Sequence, residues 1–452
     1  MFCKSFNYRF FSRIFFLHLL VISLQFNFIY ASPIDHFSYQ SKIYFQDAGK
    51  GWDLLSVFGP LVNFNSDRDK SNYLATKMSL NIRKDSYSFS GFSYFRFKKS
   101  FYGYFNPGIF KNSKDLDQLC ISHFNLLNNY KDFSGFGFVN DWVILQVGKG
   151  VENWGAGNNV QLALSNNSSA YDYLLLGSDY GNLRVRYIHG FLERVDSSTN
   201  RYITARGLEW TNKKSFILGF SETVIYSGEN RPMDISYFNP ISSHLEIELN
   251  DRLNIVGNTN SNAVWQLHLD FLIKKRFRIS ANYLVDEFVF DPDIEIGKEH
   301  GRAFSLKFAY TPMLNKKKLL TFYSSIISVG TPTFRHIVGT NNFIQNGRPT
   351  GWNGGSDGYA YHTGVNYLRN NLILSFLVGL SKSGSESVSN RSYDPYKDYI
   401  KGEFPSGEVE VKFYFETLAT YMLKKNYSLT GLLFLSDRKN MFNLNLNIPI
   451  KI

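Results

Sequence analysis

Residues 442–452 read FNLNLNIPIKI, and their alternation indicates the fold of the whole chain. Every even-numbered position is apolar, while the positions between hold three asparagines, a proline and a lysine. Successive side chains of a strand point to opposite faces, so the stretch predicts a strand with one apolar and one polar face. Such alternation is typical of transmembrane barrels, whose last strand closes the sheet. We therefore expect an all-β chain, a transmembrane antiparallel β-barrel, with a soluble β-sandwich as the alternative.

The first 31 residues have the organisation of a secretory signal. Three cations precede residue 14, an apolar stretch covers 14–30, and Ile29-Tyr30-Ala31 fits a cleavage site. We expect a signal peptide at 1–31 and a single barrel domain at 32–452, with an uncleaved N-terminal helix as the alternative. Without Cys3, the mature chain keeps Cys120 alone and forms no intramolecular disulfide.

The composition favours a barrel over a helical membrane protein. Aromatic residues make up 17% of the chain, with 42 Phe and 29 Tyr, and no apolar run after residue 31 approaches the roughly 20 residues of a membrane helix. The aromatic girdles and polar interior of a barrel account for a chain that is rich in aromatic residues but has no long apolar run. The formal charge of +11 is spread along the chain, which indicates no nucleic-acid partner but suits anionic lipopolysaccharide or acidic glycans.

Strand-like alternation recurs from residue 72 to the C-terminus. Further strands are expected within 100–140. Single-chain outer-membrane barrels have an even number of strands, so we predict about 18 strands. The candidate strands are 72–82, 87–97, 141–149, 182–190, 202–210, 215–225, 264–272, 277–285, 303–311, 319–329, 360–368, 371–380, 409–417, 418–424, 427–436 and 441–452.

Four stretches break the alternation and are too long for turns. We interpret 150–181 and 227–262 as plug or long-loop segments, so that the lumen is plugged by inserted segments. The stretches 330–359 and 381–408 lie between hairpins and are expected to be outer loops, because barrels join short periplasmic turns with longer outer loops.

The central half of the chain carries several motifs in a fixed order. Residues 150–176 contain Trp154-Gly-Ala-Gly followed by an apolar stretch and Ser165-Asn166-Asn167, and Tyr237-Phe238-Asn239-Pro240, Asn262-Ala263 and YLVDEF at 283–288 come later. This order resembles the Wzi family of capsule-assembly proteins of the outer membrane. The resemblance implies a monomeric barrel that acts as a surface lectin and helps exported polysaccharide to stay attached to the cell.

The same residues have the chemistry of a carbohydrate site. Sugars are bound by aromatic faces that stack on C–H groups and by amides, carboxylates or arginines that pair with hydroxyls. The resemblance adds Arg231 and Asn239 to the first of two clusters. A structural plug is the alternative interpretation of the first cluster, and an ordinary loop is the alternative for the second. The first cluster is Glu152, Trp154, Asn158, Asn159, Asn166, Asn167, Arg231 and Asn239, and the outer-loop cluster is Arg348, Trp352, Asn353, Asp357 and Tyr359.

Signals of catalysis are weak. The histidines are scattered, a lone cysteine builds no thiolate metal site, and no Gly-x-Ser-x-Gly motif is present. Asp286 and Glu287 would point to opposite faces of a strand and could not act as a pair. We therefore expect no enzyme, no cofactor and no metal. The partners expected are exported capsule or exopolysaccharide and outer-membrane lipids, and a channel or porin-like transporter is the alternative function.

Overall fold

The computed structural model describes most of the chain after residue 72. The predicted signal peptide at 1–31 lies outside the described residues. The described ranges are 58–60, 73–82, 87–98, 100–106, 108–110, 133–249, 261–286, 296–315, 318–397, 400–423, 427–437 and 440–450.

Strands dominate these ranges, beside one short α-helix, α1 (His244–Leu249), and two 3-10 helices at Ile235–Phe238 and Gly339–Asn341. The strands are β1 (Phe58–Pro60), β2 (Tyr73–Ile82), β3 (Tyr87–Phe97), β4 (Phe101–Phe105), β5 (Gly108–Phe110), β6 (Ser134–Val139), β7 (Val143–Gly150), β8 (Glu152–Trp154), β9 (Tyr171–Asp179), β10 (Leu183–Val195), β11 (Thr199–Thr211), β12 (Phe216–Glu229), β13 (Ser261–Ile273), β14 (Phe277–Val285), β15 (Arg302–Leu314), β16 (Lys318–Val329), β17 (Ile344–Gln345), β18 (Arg348–Pro349), β19 (Gly358–Arg369), β20 (Leu372–Ser383), β21 (Glu410–Met422), β22 (Ser428–Ser436) and β23 (Asn440–Ile450).

The sheet closes on itself as an antiparallel barrel, which confirms the predicted fold class. Strand β23 pairs with β22 on one side and with β2 on the other, in a register that runs from Thr76↔Ile450 to Ile82↔Leu444. Strands β4 and β5 pair with successive parts of β3 and act as one interrupted strand. The nineteen barrel segments of the described chain therefore amount to eighteen strands.

Apolar and polar faces of the strands lie as the alternation predicts. In β23, Phe442 is 58% exposed on the outside, whereas Asn443 and Asn445 are buried on the inner face. In β13, Leu267 and Phe271 are exposed while His268 and Asp270 are buried. The outer surface is therefore mostly apolar and faces lipid, and the inner wall is mostly polar, with one apolar cluster that includes Leu319, Leu368 and Leu418.

The two ends of the barrel differ in the length of their connections. The turns at one end have five residues or fewer, such as 274–276 and 370–371, and both ends of the described barrel chain lie there. Exposed aromatic side chains surround this short-turn end, and two of their contacts are Trp210 with Phe216 at 5.7 Å and Phe277 with Tyr310 at 4.4 Å. Short turns mark the periplasmic side of a barrel and longer loops its outer side, so the long-loop end faces outward.

Two of the long segments fold into the lumen. Residues 151–170 and 330–357 pack against inward-facing wall residues such as Ile203 and Ile327. Strand β1 also enters the lumen and pairs with β8, so that Phe58 lies beside Trp154. We call 151–170 and 330–357 together the plug. The expectation that 330–359 is an outer loop is wrong for most of that stretch, because its backbone packs on 162–165 inside the barrel.

The stretch 150–181 is not one plug segment, because residues 171–179 form barrel strand β9. Its inner face carries Tyr171, Tyr173 and Leu175, all buried against the plug or the wall. Both faces of this strand are therefore largely apolar, and the expected alternation is obscured. Similarly, 409–417 and 418–424 are not separate strands but parts of β21.

The described part of 227–262 lies outside the wall. On β12, Leu218 and Phe220 are exposed to lipid, and Glu222, Val224 and Tyr226 share their face because strand side chains alternate. These three are buried, because residues 230–249 cover them from outside. We call 230–249 the outer flap; it is a long loop and not a plug. In the part of the chain described, no helix is long and apolar enough to cross a membrane.

We predict that Phe308→Lys destabilises the barrel. Phe308 is exposed on the outer face in the middle of β15. A lysine near the bilayer midplane costs about 2–4 kcal/mol. Equilibrium unfolding from phospholipid vesicles in denaturant measures the loss, and Phe308→Leu should stay near wild type. Equal stability of the two variants would show that this face does not contact lipid.

Candidate functional site

The plug is anchored to the wall by Asn282 of β14. The backbone N–H of Ala156 donates to Asn282 Oδ1 at 2.7 Å, and Asn282 Nδ2 donates back to the Ala156 carbonyl at 2.9 Å. Ser305 Oγ on the next strand donates to the Val160 carbonyl at 2.6 Å. Wall side chains therefore satisfy plug backbone groups that have left the sheet.

The two parts of the plug are joined through their backbones. The N–H of Trp352 donates to the Leu162 carbonyl at 3.1 Å, and the N–H of Ser165 donates to the Thr350 carbonyl at 2.9 Å. Gly351 lies so close to the Leu162 carbonyl that a Cβ atom there would overlap it. A glycine is therefore required where the segments meet.

Glu152 and Trp154 come together, but they are buried inside the barrel. Trp154 Nε1 donates to Glu152 Oε2 at 2.8 Å, and the Tyr173 hydroxyl donates to Glu152 Oε1 at 3.0 Å. The Trp154 ring packs edge-on against Phe58 at 4.8 Å. Burial raises the pKa of the Glu152 carboxyl, while the nearby Arg186 charge and these hydrogen bonds act in the opposite direction. This geometry favours the plug alternative for both residues.

The four asparagines of the first cluster lie in turns of the plug. The Asn158 carbonyl accepts a hydrogen bond from Lys307 Nζ at 3.2 Å, and Asn159 has a φ of +61°. The N–H of Asn166 donates to Asn153 Oδ1 at 3.3 Å, and that of Asn167 to Ser165 Oγ at 3.1 Å. Asparagine tolerates the left-handed conformation of Asn159, and the contacts described at the other three positions are made by backbone groups.

Arg231 and Asn239 lie apart from this cluster, in the outer flap. The Arg231 guanidinium lies over the Tyr226 ring at 4.7 Å and donates to the Ser227 carbonyl at 3.0 Å. Asn239 Oδ1 accepts a hydrogen bond from the Ile241 N–H at 3.1 Å. The structure therefore does not bring them to the side chains with which the sequence analysis grouped them.

Asp357 connects the plug to 384–409, the connection between β20 and β21 at the long-loop end. Its carboxylate accepts hydrogen bonds from Thr331 Oγ1 at 2.8 Å, from the Ser406 N–H at 2.9 Å and from the Glu386 N–H at 3.2 Å. Asp357 and Trp352 are both buried. Their expected exposure on an outer loop is therefore wrong, because the loop folds inward and uses them for packing.

Two tyrosines that the sequence analysis did not select lie half-buried above the plug. The Arg201 guanidinium lies 5.2 Å from the Tyr393 ring centre, and the Arg335 guanidinium lies 4.9 Å from that of Tyr396. The Tyr393 hydroxyl donates to Glu193 Oε1 at 2.9 Å. Desolvation raises the pKa values of both tyrosines and lowers that of Arg335. The signal was the run SYDPYKDY at 392–399, in which tyrosines alternate with charges.

Arg348 and Asn353 of the plug are half-buried, and the N–H of Gly347, next to Arg348, donates to the Tyr393 hydroxyl at 3.1 Å. Tyr359 lies apart from these two rings, on the outward face of β19 with the exposed Tyr361, and the Lys382 ammonium lies 5.8 Å from its ring centre. Arg391 is exposed and forms ion pairs at 3.5 Å with Glu386 and with Asp394. Desolvation lowers the pKa of Arg348. We call the group Arg348, Arg391, Tyr393 and Tyr396 the upper surface.

The upper surface offers chemistry for binding. Aromatic rings and guanidinium groups suit stacking and hydrogen bonding to hydroxyl-rich molecules. Among the residues that the structure describes, no three His, Cys, Asp or Glu side chains form a group that could hold a metal ion.

We predict that Gly351→Ala separates the two parts of the plug. The new Cβ would overlap a backbone carbonyl, and overpacking of this kind costs about 1–3 kcal/mol. The midpoint of heat denaturation in detergent should fall, and protease should cut 330–357 faster. Gly402→Ala is the matched control, because a Cβ there meets open space. Identical behaviour of the two variants would contradict the close contact between Gly351 and the Leu162 carbonyl.

We predict a pH-dependent benefit from Glu152→Gln. Because burial raises the pKa of Glu152, the folded protein keeps this proton where the unfolded chain, with a pKa of about 4.3, has lost it. The stabilisation is complete below the unfolded pKa and is lost as pH rises through the folded pKa. The unfolding midpoint of the glutamine variant should therefore gain on that of wild type as the pH rises above about 4.3. A difference that is independent of pH would contradict this.

Comparison with known proteins identifies relatives in structure alone. No protein-family model matches the chain, and no curated protein matches it. Wzi of Escherichia coli, an outer-membrane protein involved in group 1 capsule assembly and a carbohydrate-binding β-barrel, aligns with a TM-score of 0.61 and 12% identity over 84% of this chain and 85% of that chain. OprD of Pseudomonas aeruginosa aligns with a TM-score of 0.45 and 11% identity over 85% of this chain and 96% of that chain. The chain thus shares the fold of an outer-membrane β-barrel.

Proposed function

We propose that this protein is a monomeric surface lectin of the bacterial outer membrane that holds exported capsule or exopolysaccharide. The observation that carries the proposal is the upper surface, where Tyr393 and Tyr396 are each backed by an arginine at the long-loop end of a plugged barrel. This end faces outward, where an exported polymer is found.

The mechanism is non-covalent. The tyrosine rings stack on C–H-rich faces of sugar rings, and Arg348 and Arg391 donate hydrogen bonds to hydroxyl or acidic groups. Arg201 and Arg335 hold the tyrosines in place before binding, so little side-chain entropy is lost. Each contact is weak, but a repeating polymer offers many equivalent epitopes, and several copies of the protein on one cell bind it with avidity.

The likeness to Wzi supports the proposal, together with the order of motifs in the central half of the chain. Wzi is a carbohydrate-binding barrel, and its match covers 84% of this chain. We propose on this basis that the chain is a member of the Wzi family. We assign no catalytic role to any residue.

A channel is the second candidate, and the polar inner wall favours it. Thr311 and Thr321 share a hydrogen bond of 3.0 Å on this wall, and so do Thr420 and Thr430. Aqueous channels have such polar interiors. The plug opposes this candidate, because 151–170 and 330–357 occupy the lumen above these threonines.

Binding to the host's own extracted surface polysaccharide tests the proposal. The folded protein in detergent should bind the polymer saturably, and Tyr393→Ala and Tyr396→Ala should each weaken binding about fivefold, as expected for about 1 kcal/mol of stacking. Tyr421→Ala is the matched control, because Tyr421 is exposed on the outer face near the short-turn end.

Conductance in planar bilayers separates the two candidates. The lectin proposal expects saturable binding with little conductance. Absence of binding by the folded wild type, together with steady ion conductance, would overturn it in favour of the channel. Binding that Tyr393→Ala and Tyr396→Ala leave unchanged would place the site elsewhere and overturn the assignment of the upper surface.

A further inference from the structure

The outer face of strands β10–β13 carries a polar patch where a barrel wall should be apolar. Tyr187, His189 and Arg206 share the outward face with the exposed Leu208, because side chains alternate along the strands and cross-strand partners share a face. Glu222 of β12 lies opposite Arg206, and their ion pair measures 3.2 Å. Glu222 is only 3% exposed, so something covers this patch.

The outer flap provides that cover through specific polar contacts. The N–H of His244 donates to Glu222 Oε1 at 3.0 Å, and Arg206 Nη1 donates to the Asn239 carbonyl at 3.0 Å. The Tyr187 hydroxyl donates to the Tyr237 carbonyl at 2.8 Å. The inner side of the flap thereby satisfies wall groups that bare lipid could not.

Aromatic stacking fixes the flap in the same position. The Tyr226 ring on β12 stacks with Tyr202 at 5.0 Å and with Tyr237 at 4.9 Å. Tyr237 in turn stacks with His244 at 6.2 Å. Tyr237 and His244 of the flap therefore continue a row of stacked rings that begins on the wall. Such a row indicates a specific packing interface between the flap and the wall.

The other side of the flap is apolar and exposed. Between Pro232 and His244, every exposed residue except Asn239 is apolar. Ile235 is 72% exposed and Ile241 is 89% exposed. Exposure of such a surface to water is unfavourable, and exposed apolar patches usually mark an interaction site.

We propose that the outer flap lies within the outer leaflet, with Ile235, Phe238 and Ile241 in contact with lipid acyl chains. The surface continues from an established lipid-facing wall, since Leu208 and Phe220 are exposed on the strands beneath the flap. The flap thus restores an apolar exterior over a patch whose charges would be costly in hydrocarbon. The partner is the hydrocarbon of the membrane, and the inference is independent of glycan binding.

Collision of paramagnetic reagents with a nitroxide label tests this proposal. A label on Ile241→Cys, in a Cys120→Ser background and in phosphatidylcholine vesicles, should be relaxed strongly by oxygen and weakly by a water-soluble nickel chelate. Leu267→Cys gives the lipid-facing reference, and Lys401→Cys gives an aqueous reference, since both side chains are exposed.

The ratio of oxygen to nickel accessibility decides between the outcomes. A ratio at residue 241 close to that at residue 267, and repeated with Ile235→Cys, supports immersion in the leaflet. A ratio close to that at residue 401 would overturn the proposal and place the flap in water. Retained heat-modifiable mobility in detergent gels confirms that each labelled variant is folded.

Discussion

The structure depends on the requirement that no backbone polar group be left unpaired in lipid. A strand edge cannot face hydrocarbon, so β2 must pair with β23 and the sheet must close. Closure with eighteen strands leaves a wide lumen, since barrel diameter grows with strand number. The alternation along each strand follows from the same constraint, because the outer face meets lipid and the inner face does not.

A wide lumen must hold water or protein, and in this barrel two chain segments occupy its outer half. Because they have left the sheet, their backbone groups need other partners, and Asn282 and Ser305 supply them from the wall. Asp357 then ties the plug to 384–409, which carries Tyr393 and Tyr396. The upper surface therefore owes its geometry to buried polar contacts that each leave few alternative positions.

The fold was predictable because a lipid-facing wall imposes a strict pattern. The alternation in 442–452 correctly predicted one apolar and one polar face, and β23 turns the apolar face outward. The pattern fails where one face meets protein instead of its usual solvent. The inner face of β9 packs against the plug and is apolar, and the outer face of β12 meets the flap and carries Glu222. The sequence of a single strand does not show which other segment of the chain will cover it.

The candidate site was less predictable than the fold. Tryptophan beside asparagine and a carboxylate suits a sugar site and also suits a packed turn, and composition does not distinguish the two. Trp154 and Trp352 are buried, while the half-buried rings above the plug belong to tyrosines from another loop. Which ring is buried depends on contacts between segments that are distant in sequence, such as Gly351 on Leu162.

The contacts of Arg201 have a mechanical consequence. Its guanidinium donates to the carbonyls of Thr340, Asn342 and Ile344, while its own strand, β11, is hydrogen-bonded along its length to two neighbours. The Tyr393 hydroxyl reaches the same group through Glu193. Tension on Tyr393 is therefore carried into the whole cylinder of strands. Rupture would require many hydrogen bonds to shear together, so this end of the molecule is built to resist pulling.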